Sequence, residues 1–206
     1  MHVPRVTKQD RSEQTRAHIL EIALEEFSSH GFEAVSLRDI ADQAGVNHAM
    51  IRYYFGSKDA LWKESATYLF QRLREELPPL DLSSGDKNLD DLKEYVRNYV
   101  RYCARHPEHA RLMVQESITG SERLKWVAQT FIRPAHESTL QMITDAQQGN
   151  GIGNIDPLML LYMIVSVVQM PYLLTAELKY THGRDALAPE AIEAHADAVI
   201  WLFFRT

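Results

Sequence analysis

The sequence predicts an all-α protein. Apolar residues recur at helical spacing along most of the chain, and no stretch alternates apolar and polar residues as a strand does. Breakers are few, with 9 glycines and 8 prolines in 206 residues. That length buries a substantial core and suits one or two compact units. The expected architecture is an N-terminal three-helix unit over residues 1–63, followed by a C-terminal helical bundle over residues 64–206.

Residues 1–12 read as a flexible basic arm, either a solvated tail or an arm by which Arg5, Lys8 and Arg11 reach a phosphate or the minor groove. A first helix over about 13–30 turns Ile19, Leu20, Ala23, Leu24 and Phe27 inward and stops at Gly31. The segment 36–61, SLRDIADQAGVNHAMIRYYFGSKDAL, then reads as two short helices around a tight turn. Ser36 caps the first of these, with Asp39 as an approximate capping box, and Leu37, Ile40, Ala41 and Ala44 form its apolar face. Gly45 ends it, because glycine enters the left-handed region at little cost. Val46 plugs the turn and Asn47 caps a second helix of about two turns, which Gly56 closes before Ser57 caps a third. Between Gln43 and Lys58 there is no acidic residue, while His48, Arg52 and Lys58 are present. A surface made to lie against phosphates excludes carboxylates in this way.

Beyond the head, a helix from Ser57 runs to Leu77, and Pro78-Pro79 terminates it ahead of a linker at 78–88. Leu89, Leu92, Val96, Tyr99 and Cys103 make a helical stripe ending near His106-Pro107, and a short helix occupies 108–117. A long helix from Ser121 carries Leu124, Val127, Ala128, Phe131, Ala135, Met142, Ile143 and Ala146 on one face, with a kink at Pro134. Trp126 falls off that stripe and is expected away from the core. After a Gly-rich turn at 149–154, Asp156 caps a helix that has Pro157 at its first position. Its residues 158–174 are apolar nearly all round, but the run is shorter than the about 20 residues a bilayer needs and contains Gln169 and Pro171. A helix buried on both sides, by its own core and by a partner, explains it better. The last helix, Pro189–Phe204, has the same character, with Trp201 and Phe204 off its main stripe. These two helices are the expected interface of a homodimer.

The head's motifs carry a family resemblance. Thr15-Arg16-Ala17-His18-Ile19-Leu20-Glu21-Ile22-Ala23 running to Phe27, His30-Gly31-Phe32, Val35-Ser36, Ile40-Ala41, Ala44-Gly45-Val46 and Tyr53-Tyr54-Phe55-Gly56-Ser57-Lys58 together resemble the DNA-binding domain of the TetR family of bacterial regulators. The match is dense and ungapped over about residues 15–61. The resemblance implies that His48, Ala49 and Met50 approach base edges. It also implies that Arg38, Arg52, Tyr53, Tyr54 and Lys58 hold phosphates, with Ser36 at the same surface. Arg52 departs from the family, which more often has tyrosine there; its reach serves a phosphate or a base. Ala49 and Met50 offer no side-chain hydrogen bond, so His48 is the main polar reader, and DNA shape and Arg38 supply part of the specificity.

The function expected is a ligand-responsive dimeric regulator, a repressor released from a palindromic operator on duplex DNA when a small apolar molecule enters the C-terminal domain. Tyr99, Cys103, Met113, Phe131, Met142 and Met163 are the candidate pocket residues, since Met and aromatic side chains suit a pliable apolar cavity. The alternative is a TetR-like fold acting mainly through a protein partner. The net charge of −6 is concentrated in the body: residues 1–63 carry eight basic and nine acidic side chains. Local sign outweighs the sum, because screening limits surface charges to about 8–10 Å. The single cysteine, Cys103, excludes a disulfide framework within the chain. The N-terminus lacks the apolar core of a signal peptide, so a cytoplasmic location is expected. His106-Pro107-Glu108-His109, with Glu116, has metal-like spacing, but proline breaks the helix there and thiolates are missing. No catalytic constellation stands out, and neither an enzyme nor a metal or cofactor is expected.

Overall fold

The chain builds helices wherever the apolar spacing demands them. The computed structural model describes residues 8–78, 89–149 and 152–204. Its elements are α1 (Lys8–His30), α2 (Leu37–Gln43), α3 (His48–Phe55), α4 (Lys58–Glu76), α5 (Leu89–Arg105) and α6 (Pro107–Thr119). They continue with α7 (Glu122–Val127), α8 (Arg133–Gln148), α9 (Pro157–Leu173), α10 (Thr175–His182) and α11 (Pro189–Phe203). Among the described residues there is no strand, only an isolated antiparallel bridge between Ile152 and Phe204.

Most boundaries fall where the sequence places them. The exceptions have physical causes. Helix α1 already begins at Lys8, so Lys8 and Arg11 belong to a helix rather than a free arm; residues 1–7 lie outside the described residues, as does nearly all of the expected linker at 78–88. The expected long helix from Ser121 is broken ahead of Pro134. Residues Ala128–Ile132 widen into a π-helical turn, in which the Arg133 N–H donates to Ala128 O, five residues back. Proline supplies no N–H of its own, and the wide turn absorbs the misfit. That turn rotates the face: Val127, Met142 and Ile143 are buried as expected, but Ala135 is exposed. Helix α10, which the apolar pattern does not announce, buries none of its residues.

Two apolar clusters organise the packing. The first gathers Ile19, Ala23, Leu24 and Phe27 of α1, Ile40 and Ala41 of α2, Ile51 and Phe55 of α3, and Leu61, Trp62, Ala66 and Leu69 of α4. Leu112 of α6 and Val127 of α7 join it from the body. The second gathers α5, α9 and α11 around Val100, Tyr102, Leu160, Val168, Ala196 and Val199. Helix α4 runs unbroken across residues 63 and 64, so head and body share one rigid rod. Trp126 corrects an expectation: it is half-buried, 6.4 Å from the Trp62 ring of α4 and 5.5 Å from Phe131, and it helps seal the two halves together. Among the described residues no single helix is long and apolar enough to cross a membrane; α9 and α10 reach that apolarity only as a pair bent by 62°.

Candidate nucleic-acid interface and the cavity behind it

Helix α2 starts with a complete capping box. The Asp39 N–H donates to Ser36 Oγ at 3.2 Å, and the Ser36 N–H donates to Asp39 Oδ2 at 2.9 Å. The Ser36 hydroxyl and N–H hold the Asp39 carboxyl below its ordinary pKa, because both bonds favour the ionised form. At the other end Gly45 has φ 64°, the Gly45 N–H donates to Asp42 O, and the Val46 N–H donates to Ala41 O at 3.0 Å. That pair of bonds is a Schellman stop, and it reverses the chain within two residues. Asn47 Oδ1 then accepts from the Ala49 N–H at 2.8 Å, and α3 begins. Ile51 and Phe55, four residues apart, anchor α3 on α2 and α4.

With one stripe committed to the core, α3 presents the opposite one. His48, Ala49, Met50, Arg52 and Tyr53 are exposed, and Tyr53 is 84% accessible, unusual for so large a ring. Ser36 and Arg38 are exposed at the start of α2. Two expected phosphate ligands sit differently. Tyr54 is half-buried and shares a 3.0 Å hydrogen bond with Ser12 Oγ, fastening α1 to α3. The Lys58 ammonium stands 4.3 Å from the centroid of Phe32 and donates to Glu33 O at 3.4 Å. A backbone carbonyl and a ring face hold such a cation weakly. The structure therefore brings eight of the nine residues to one exposed side or its margin, and gives Tyr54 a hydrogen-bonding role inside the head.

Behind the head lies a cavity of about 560 Å³. It is lined by α4 (Phe70, Leu73), α5 (Tyr95, Tyr99), α6 (His109, Met113) and residues of α8 and α9. Of the six residues expected to line a pocket, Tyr99 and Met113 do so. The other four are corrected. Cys103 is buried in the second cluster, where burial pushes its thiol up to about 12. Phe131 stacks flat on Phe70 at 4.7 Å, Met142 is buried in the fold, and Met163 sits on the outer face of α9, 42% exposed. Helical periodicity finds the apolar faces but not which of two neighbouring faces meets a void. Most of the lining residues that sequence reasoning missed are apolar, such as Phe70, Leu73 and Ile143, and the polar ones among them include His109, His136 and Gln169. His109 was legible, since it stands four residues before Met113 on one helical face.

The metal-like group is dispersed. His106 pairs with Glu76 at 2.9 Å and Glu108 at 3.3 Å, His109 with Tyr102, and buried Glu116 with Ser121 and with Arg123 at 3.2 Å. Other side chains of the same region stitch body to head. The Arg123 guanidinium lies 3.6 Å from the Phe32 centroid, Gln115 Nε2 donates to Ser28 O at 2.6 Å, and Arg111 reaches Glu25 at 3.2 Å.

Comparison with known proteins decides the lineage. Residues 19–64 match the family profile of bacterial regulatory proteins of the tetR family, and residues 69–206 match that of the C-terminal region of YcdC-like proteins. The HTH-type transcriptional regulator RutR of Escherichia coli strain K12 is 31% identical over 152 residues, 73% of this chain and 70% of its own. This chain belongs to the TetR family. Another TetR-like relative, the HTH-type transcriptional repressor NicS of Pseudomonas putida, is 31% identical over 108 residues, 52% of this chain and 50% of its own. Among solved structures, HlyIIR, a hemolysin II transcriptional regulator, superposes with a TM-score of 0.66 at 25% identity, covering 91% of this chain and 97% of that one. The TetR-family head is therefore a helix-turn-helix, and the protein is a DNA-binding transcriptional regulator. In helix-turn-helix motifs generally, the second helix is the one that enters the major groove.

Proposed function

We propose that this TetR-family regulator is a homodimeric repressor that leaves an inverted-repeat operator when a small, mostly apolar molecule fills the cavity. One observation carries the reading: α4 lines the cavity with Phe70 and Leu73 and, two to three turns earlier on the same rod, anchors α3 through Leu61 and Trp62. A molecule that prefers the cavity's wider form tilts α4 and moves both heads together. A coupling of about 1–3 kcal/mol changes operator affinity about 5–150-fold.

Dimerisation is supported by an exposed apolar surface on α9 and α11. Met159, Tyr162, Met163 and Met170 face outward on α9, and Trp201, 80% exposed, and Leu202 do so on α11. Single exposed apolar residues are ordinary, but a patch of this kind marks an interface. Two-fold symmetry then sets two α3 helices in successive major grooves on one DNA face.

The nucleic-acid contacts proposed are those of the exposed α3 face, with Ser36, Arg38 and Lys58 at its margins. Selection of bound duplexes from a random pool tests the operator, and sedimentation tests the dimer. On the selected duplex, Lys58→Ala lowers affinity for all sequences alike and flattens the salt slope by about one unit. An unchanged slope removes Lys58 from the phosphate set. Replacing His48 relaxes base preference within each half-site, and unaltered preference removes it as a reader.

A further inference from the structure

The cavity's polar wall fixes one feature of the molecule it takes. Glu108 of α6 pairs with Arg72 of α4, and the Arg72 guanidinium lies beside the hydroxyl of Tyr102 on α5. Guanidinium is a donor only, so the phenol turns its oxygen toward Arg72 and its proton away. Tyr102 is buried, with its hydroxyl 3.0 Å from His109 Nδ1. The phenol proton therefore goes to Nδ1, which acts as acceptor. Burial outweighs the opposing Glu108 charge and, with a smaller push from Arg72, brings the His109 pKa down to about 4, so the ring is neutral at pH 7 and holds a single proton. That proton is on Nε2. Nε2 meets no acceptor among the described residues, and the ring lines the cavity in a T-shaped pair with Phe70, centroids 5.0 Å apart.

We propose that the effector is a neutral, mostly apolar molecule bearing an oxygen acceptor, a carbonyl above all, that receives the Nε2–H of His109. The proposal rests on reading the cavity as an effector site. No Asp, Glu, Lys or Arg is among the lining residues, so a buried anion or cation finds no counter-charge. Arg72, the cation beside Tyr102, is neutralised by Glu108. Of the other polar residues that line the cavity, Gln169 and Tyr99 bond to each other, with Gln169 Nε2 donating to Tyr99 Oη at 2.8 Å, and the Thr139 hydroxyl donates to Ala135 O; His136, Ser117, Tyr95 and Tyr162 complete the polar lining. Tyr102 is a positioning residue, which holds the imidazole in the tautomer that donates inward.

A matched set of probes tests this on the full-length protein: para-phenylbenzophenone, para-benzylbiphenyl, which has a methylene in place of the carbonyl, and biphenylcarboxylate. Wild-type protein binds the ketone about two- to tenfold more tightly than the hydrocarbon, the worth of one net hydrogen bond. The carboxylate binds most weakly, and the infrared stretch of the bound ketone moves to lower frequency. Nitrogen NMR shifts of the imidazole report the Nε2–H tautomer in the empty protein. His109→Phe and Tyr102→Phe abolish the preference for the ketone and leave hydrocarbon binding in place. Equal affinity for ketone and hydrocarbon, tightest binding of the carboxylate, or an Nδ1–H tautomer overturns the proposal while leaving the cavity as a site. Binding of none of the three overturns the effector reading itself, and the proposal with it.

Discussion

Ile51 and Met113 both stand near the middle of short helices, yet their surroundings differ. Ile51 of α3 is fully buried among α1, α2 and α4 side chains, whereas Met113 of α6 is half-buried against an open cavity. The contrast extends to the regions they belong to. The head packs its apolar residues closely and leaves cations and phenols outside; the body leaves apolar side chains facing a void within and solvent without. A reading surface must hold its side chains in register against a fixed DNA geometry, which tight packing provides. A sensing region must change shape on binding, and unfilled space lets it do so at modest cost.

Truncation tests that contrast most directly. Ile51→Ala removes contacts on every side and costs about 2–5 kcal/mol of stability, the range for a sealed core position. Met113→Ala costs less than half as much, because its side chain already lacks partner atoms on the cavity side. Chemical unfolding of both variants at neutral pH supplies the comparison. Equal losses mean that the cavity closes in solution and the two regions are packed alike.

Acid provides the next test, and it acts on the body. His109 is neutral in the folded protein with its pKa lowered to about 4, while unfolding returns it to the ordinary value of 6.5. The unfolded state therefore binds the proton first. Stability is full above pH 6.5 and falls as pH drops from 6.5 toward 4. In His109→Phe that decline is shallower than in wild type, by the share this one ring contributes. Parallel curves for the two proteins remove His109 as a source of acid sensitivity.

What the sequence discloses follows the same division. In the head each local cue concerns neighbours a few residues apart: Ser36 with Asp39, Gly45 with Val46, Asn47 with Ala49. Those bonds form within one turn, so residue types at fixed spacing are enough to read them. The exposed side of α3 follows by elimination once Ile51 and Phe55 are assigned inward. The cavity follows no such rule. It is bounded by five helices, and whether Phe131 faces it depends on the π-helical turn at 128–132, a response to Pro134 that rotates everything after it. Trp126 was misread because its partner, Trp62, is 64 positions away in a different helix. Tyr54 was half legible. Its place beside Tyr53 fits a phosphate ligand, but the ring is half-buried and its hydroxyl bonds Ser12 inside the head.

The smallest effects are expected at two glycines with positive φ, one within the head and one at its seam with the body. Gly45 has φ 64° and open space where a Cβ would project. Gly45→Ala therefore incurs only the strain of the left-handed conformation, about 1 kcal/mol, and leaves contacts intact. Gly31 has φ 79°, and a Cβ there would stand 2.7 Å from Gln115 Oε1, the amide that binds Ser28 O from α6. Gly31→Ala adds to the same strain the displacement of one hydrogen bond across the seam, for a total of about 2 kcal/mol. The difference between the two variants, read from thermal unfolding, measures how firmly α6 grips the head. If the two substitutions cost the same, Gln115 swings aside freely, and the grip resides in Arg123 on Phe32 and Arg111 on Glu25 instead.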